Sequence, residues 1–451
     1  MDVIEAHENT LQRMKGSFEV ALEKKSSNLA TALKPLLTNQ AVVKGTVSCQ
    51  GATLTVDHQS LGAFHAVDPA KLLALSKPAS FGHGSETKFD TSVRDAWEIK
   101  QTRLQASDWK PLLKDISVSL EKKMLPGLAF SLIPYKLQAY ATGGHFQAHT
   151  DTLHDPHHIG TLLLRLPLFH KGGALEISGS EDLKITWKVD DRYWDYDSQK
   201  VLPGPNPHEV AWIAFYTDLP HQVLPVTEGH RVVVQFEIYL HDQESKEEVP
   251  FPQAWYIHQA PDEGKNEDKD DNDDETFVSR LIQDDFSSET KLTSSLTQTV
   301  LNRKLVKVAE ELQDCISHGI HPGFFLEHMY PLAALASGCF KGVDLQLKQI
   351  FEKLGYRVYG LPVTLDSSWG YDEESSADLT LSAWDVELPE DLPCSDTWKV
   401  FCVPGLNNYR YELARKDAVA WTGNESEIGE LQVISGIMVV SFKALRAGYG
   451  W

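Results

Sequence analysis

Residues 136–166 read KLQAYATGGHFQAHTDTLHDPHHIGTLLLRL. On an extended chain the side chains at i and i+2 leave the same face. His149 and Asp151 therefore present an imidazole nitrogen and a carboxylate oxygen toward one point. Short strand-like runs surround this stretch at 136–141, 161–166, 174–178, 184–188, 210–216, 222–226 and 231–240, with glycines and prolines between them. Many short strands separated by turn signals predict a sandwich or barrel with helices packed outside it.

Upstream, Trp109, Leu112, Leu113, Ile116 and Leu120 share one face of a helix predicted at 108–123. Residues 43–57, VKGTVSCQGATLTVD, alternate apolar and polar around Gln50-Gly51 and read as a hairpin. Leu11, Met14, Phe18 and Leu22 predict a packing helix near the N-terminus. Downstream, 261–275 (PDEGKNEDKDDNDDE) carries nine acidic and two basic residues. Such a segment buries too little surface to offset its ordering entropy, so it reads as a disordered linker. Beyond it, Leu301, Leu305, Val308 and Leu312 mark one helix and Leu347, Ile350, Phe351 and Leu354 another, with strands at 398–403 and 431–442. The expected organisation is an N-terminal helical segment (1–39), a β-rich domain (40–245), the linker, and a C-terminal domain (277–451) with no motif that converts to chemistry.

The 451 residues exceed one ordinary core. Lysine plus arginine total 42 against 64 aspartate plus glutamate, a formal net charge of -22. That surface repels phosphate backbones and anionic headgroups, so neither nucleic acid nor membrane is an expected partner. Five cysteines without a CxxC pair argue against a disulfide framework and a structural zinc site. With no signal peptide or spanning segment legible, an intracellular location, cytoplasmic or nuclear, is expected.

An HxD pair alone is weak evidence. The second stretch, LPHQVLPVTEGHR at 219–231, supplies His221 as a third donor from a distant strand. Two imidazoles and one carboxylate with open positions opposite suit non-haem iron(II) that must also bind a cosubstrate and dioxygen. Arg231, in the largely apolar run RVVVQF, needs an anionic partner if buried. A hairpin between 221 and 231 is expected to bring its guanidinium beside His221, where it grips the far carboxylate of a diacid. The alternative is a structural salt bridge.

Residues 132–242 resemble the double-stranded β-helix core of the prolyl 4-hydroxylase-like family of iron(II)/2-oxoglutarate oxygenases. The resemblance rests on Tyr140, His149-Thr-Asp151, Gly172-Gly173 before a strand, the PHQV around His221, and the GHR ending at Arg231. It implies an α+β chain with a jelly-roll catalytic core, flanking helices and a mixed α/β C-terminal region. It further implies Fe(II) on His149, Asp151 and His221, 2-oxoglutarate gripped by Arg231, Tyr140 hydrogen-bonded to it, and O2 as co-reactant, with ascorbate as assay reductant. Gln235 and Thr161 are candidate cosubstrate contacts, and Arg165 and Arg94 candidate substrate contacts. One position departs from the pattern: Val233 stands where many members carry a hydroxyl. The implied reaction is hydroxylation of a protein side chain or small molecule, with release of succinate and CO2. A catalytically silent iron-binding or oxygen-sensing protein is the alternative.

Overall fold

A computed structural model describes residues 27–37, 40–83, 86–105, 109–179, 183–188, 192–195, 198–241, 256–258, 294–317, 321–362, 400–402 and 436–442. The helix expected from Leu11 to Leu22 and the acidic run 261–275 lie outside these residues. The chain divides into two compact units. Described residues from 40 to 258 form one; those of 27–37 and from 294 onward belong to the other.

The first unit is built on two antiparallel sheets. The larger joins, in spatial order, β1 (Val42–Ser48), β9 (Glu209–Tyr216), β5 (His158–Arg165), β12 (Arg231–Leu240), β3 (Phe130–Tyr140), β2 (Trp97–Lys100) and the short Lys77–Pro78. The smaller runs from β8 (Lys184–Trp187) through β7 (Leu175–Ser178), β10 (His221–Val223) and β4 (His145–His149) to Arg94–Asp95. A ribbon of β6 (His170–Gly172) and β11 (Val226–Gly229) stands apart from both.

Strand β12 shows why this sequence folds so. All ten of its residues are buried, yet they alternate in kind. Val232, Val234, Phe236, Ile238 and Leu240 occupy one face, where Phe236 meets the ring of Trp109 at 6.1 Å, at the start of α1 (Lys110–Lys123). Each such side chain contributes roughly 1.5–3 kcal/mol by leaving water. Arg231, Gln235 and Glu237 occupy the other face, turned into the interior between strands. That polar row is unaffordable in a plain core; it marks where chemistry sits.

The expected hairpin at Gln50-Gly51 does not form. Val42–Ser48 pairs instead with Glu209–Tyr216. The hairpin lies one strand later, Thr53–Val56 against Gln59–Ala63. It turns at Asp57 (φ 49°) and His58 (φ 64°), the doubly left-handed pair that a tight two-residue hairpin requires.

The second unit is a mixed α/β body. Its four-stranded sheet runs Tyr356–Pro362, Gly436–Phe442, His321–Phe325, Val400–Cys402, with only the last pairing parallel. Helices Ser294–Ser317, Leu332–Ser337 and Gly342–Lys353 accompany it. Fully buried Asp344 accepts the backbone N–H groups of Glu327 and His328 and the Tyr330 hydroxyl. Burial still lifts its pKa to about 6. Among the described residues no helix is long and apolar enough to cross a membrane.

Candidate metal centre

His149 ends β4 and His221 opens β10, and the two residues are paired across the smaller sheet. Their ring centroids lie 4.2 Å apart. Each Nδ1–H donates to a backbone carbonyl two residues earlier, Gln147 at 2.8 Å and Leu219 at 2.9 Å. This fixes one tautomer in both rings and leaves both Nε2 lone pairs free to coordinate. Burial, chiefly, and the neighbouring His221 ring hold the His149 imidazole well below its ordinary pKa, so it stays neutral. Phe146 stacks on His149 at 3.6 Å, and Phe215 meets His221 edge-on at 4.7 Å.

Asp151 lies beyond the end of β4, so strand alternation does not aim it. Its backbone N–H donates to Thr217 O at 3.1 Å, and its Oδ2 accepts the Thr161 hydroxyl at 2.6 Å. These two bonds turn Oδ1 toward His221 Nε2, 3.9 Å away. Ligand-capable atoms of His149, Asp151 and His221 all fall within 4.8 Å of one another. Donors held at about 2 Å from a shared ion can stand up to about 4 Å apart. The three residues fit a metal ion with little movement.

The centre opens into a small pocket. Arg231 lines it as well, at 1% exposure. No described carboxylate pairs with this arginine, and its buried Nη2 finds no hydrogen-bond partner. Its guanidinium carbon lies 5.2 Å from the Tyr140 ring centre and 6.0 Å from that of Trp187. Burial lowers its pKa, with Tyr140 acting in the opposite sense; a guanidinium nonetheless remains charged at neutral pH. A buried cation with an unsatisfied N–H is costly unless an anion joins it. The structural salt bridge considered for it is absent among the described residues, and the pocket supplies the place for a ligand carboxylate.

The expected hairpin between 221 and 231 is also absent. Strand β10 pairs with β4 and β7, whereas Arg231 pairs with Tyr140 in the larger sheet. The intervening Val226–Gly229 pairs with β6 and carries the chain from one sheet to the other. Gly173 (φ +65°) lets the backbone pass close by: a Cβ there would stand 2.9 Å from Val226 Cγ2 and 3.0 Å from Arg231 Cδ.

Tyr140, Gln235 and Thr161 all line the pocket. Thr161 is engaged with Asp151, which makes it a support of the ligand set. Gln138, not singled out in the sequence, also lines the pocket and links two of the others. The Tyr140 hydroxyl donates to Gln138 Oε1 at 2.9 Å, and Gln138 Nε2 donates to Gln235 Oε1 at 2.6 Å. Its position two residues before Tyr140 on one strand was the available signal. Arg165 and Arg94 do not line the pocket. Arg165 donates to Lys188 O and lies over Trp187, while Arg94 donates to Ser80 O and lies over Phe146. Val233 is buried and absent from the pocket wall.

Residues 135–239 match the 2OG-Fe(II) oxygenase superfamily. All the pocket's polar residues fall within that matched segment. No curated protein matches the chain in sequence. Among solved structures, a Pseudomonas putida prolyl-4-hydroxylase is 15% identical, covering 39% of this chain and 82% of its own, with a TM-score of 0.26. A prolyl hydroxylase from Trichoplax adhaerens, solved with a hypoxia inducible factor oxygen degradation domain peptide fragment, is 14% identical over 48% of this chain and 90% of its own, with a TM-score of 0.26. A prolyl 4-hydroxylase from Phytophthora capsici is 14% identical over 65% and 82%, with a TM-score of 0.24.

Proposed function

We propose that this chain is an iron(II)- and 2-oxoglutarate-dependent dioxygenase with a double-stranded β-helix core. Its substrate is a protein side chain of the prolyl type or a small molecule, hydroxylated with release of succinate and CO2. The observation that carries the reading is Arg231: a buried guanidinium with no anionic partner among the described residues, facing the same pocket as two imidazoles and a carboxylate. The family match over 135–239 supports the same assignment.

When bound, iron(II) with 2-oxoglutarate supplies oxidative chemistry with dioxygen that no side chain provides. The residues' own tasks follow from their places. His149 and His221 offer lone pairs from fixed tautomers, and Thr161 and Thr217 hold Asp151 so that its carboxylate faces them. Arg231 receives the distal carboxylate of the diacid in charge-assisted hydrogen bonds. The Tyr140–Gln138–Gln235 chain orients the polar groups of the pocket wall, and Phe146, Leu163 and Phe215 keep water from it. The sparse cysteines, without a CxxC pair, support an intracellular setting.

The test is succinate formation from 2-oxoglutarate with iron(II) and ascorbate, with and without panels of proline-containing peptides and small molecules. Turnover that disappears in His149→Ala and His221→Ala is expected. Iron binding without succinate under every condition would leave the silent iron-binding protein as the correct account.

A further inference from the structure

We propose a second metal site in this chain, formed by His154, His158 and Glu237 and taking a divalent transition-metal ion of the zinc(II) class. Ligand-capable atoms of these three residues lie within 4.8 Å of one another, the only such group besides the first centre among the described residues. His158 and Glu237 are buried, and His154 keeps 24% side-chain exposure, which leaves an approach for an ion.

The backbone has been bent to make this cluster. Thr161 pairs with Glu237 and Gly160 with Ile238, but the next pairing is His158 with Tyr239. Ile159 is thus an extra residue in β5. Simple alternation from Thr161 would put His158 on the face that packs against the helix. The bulge turns it to the side of Glu237 and Tyr239 instead, and re-aiming one side chain is what bulges do near functional sites. His154 reaches the same point from the loop after Asp151. Its ring stacks on His158 at 5.5 Å with planes only 9° apart, and His158 stacks on Tyr239 at 5.1 Å.

The donor chemistry suits a metal. Glu237 Oε1 lies 2.5 Å from His154 Nδ1, and Oε2 accepts the Tyr239 hydroxyl at 2.9 Å. Tyr239 holds the carboxylate from behind, as outer partners of metal-bound carboxylates do. An ion would take the place of the proton between Nδ1 and Oε1, with a small opening of that contact. Burial pushes the Glu237 pKa up, but His158, His154 and the Tyr239 hydroxyl outweigh it and hold the group ionised. Two imidazoles and a carboxylate, with a fourth position open, form a common zinc ligand set. The ion would tie the 152–157 loop to β12, and that loop begins immediately after Asp151. It would therefore act as a brace for the first centre.

The experiment is metal content and zinc(II) calorimetry on the full chain after chelator treatment and dialysis. Wild type should take two equivalents of zinc(II), the His149→Ala/His221→Ala double variant one, and His154→Ala one. Glu237→Gln, which keeps the shape and the Tyr239 contact, should also lose one equivalent and still melt cooperatively. A single wild-type equivalent that vanishes with His149 and His221 overturns the second site and leaves the first intact. Two equivalents that both persist in Glu237→Gln and His154→Ala overturn it as well. Loss of the first centre's equivalent alone bears only on the proposed oxygenase reading.

Discussion

The Thr161 hydroxyl donates to Asp151 Oδ2 over 2.6 Å, so a residue of the larger sheet sets the orientation of a carboxylate that belongs to the rim of the smaller one. Removing an outer-shell partner of a metal ligand typically lowers metal affinity by about 10–100-fold. Thr161→Val should weaken iron(II) binding by roughly tenfold or more, and Thr161→Ser should restore it. Anaerobic iron(II) titration of the three proteins makes the check. Equal affinities would show that Asp151 needs no such support.

Arg231 separates a functional from a structural arginine. A structural arginine, when removed, leaves its anion unpaired and lowers stability. Here no anion among the described residues is left behind. Arg231→Met should hold or raise the melting temperature, since an unpaired buried charge is replaced by an apolar chain of similar length. Affinity for 2-oxoglutarate should fall by roughly 100-fold, from the loss of charge-assisted hydrogen bonds. Thermal melting and ligand titration on the same samples decide the matter; a large drop in melting temperature with unchanged affinity would reverse the assignment.

Gly173→Ala tests the close approach behind that arginine. The left-handed backbone (φ +65°) costs an alanine about 1 kcal/mol, and the new Cβ would meet Arg231 Cδ and Val226 Cγ2 at 3.0 and 2.9 Å. The expected result is a raised KM for 2-oxoglutarate with kcat less affected. An unchanged KM would mean that the guanidinium is not positioned by this contact.

His170 gives acid sensitivity a definite sign. Burial first, then the charges of Arg231 and Arg165, lower its pKa from 6.5 to about 4. Between those values the unfolded chain binds the proton and the native state does not. Stability is therefore full above about pH 6.5 and is lost progressively as the pH falls toward 4, by roughly 3 kcal/mol from this group. His170→Phe should flatten that part of the profile in urea unfolding at pH 4.5–7.5. Parallel profiles for the two proteins would exclude His170 as the source.

Much of the centre was legible because it is local chemistry. The residue types at 149, 151 and 221, and a lone arginine in an apolar strand at 231, carry their meaning without a fold. Strand pairing does not. The pattern at 43–57 specified strands but not their partners, so a hairpin was assigned where β1 in fact joins the distant β9. The same gap placed 221 and 231 in one hairpin, although they belong to different sheets. Likewise, no spacing in the sequence joins His154 and His158 to Glu237. Only the bulge at Ile159, a feature of register, brings them to Glu237. Arg165 and Arg94 stand outside the pocket wall, each donating to a backbone carbonyl and lying over an aromatic face.

The passage of the chain from one sheet to the other between His221 and Arg231 has a further consequence. The two residues stand on separate walls, and neither can slide toward the other without parting a ladder of main-chain hydrogen bonds. On the reading proposed above, that span would act as a fixed caliper for the carbon length of the acid, and homologues one methylene shorter or longer are expected to bind more weakly.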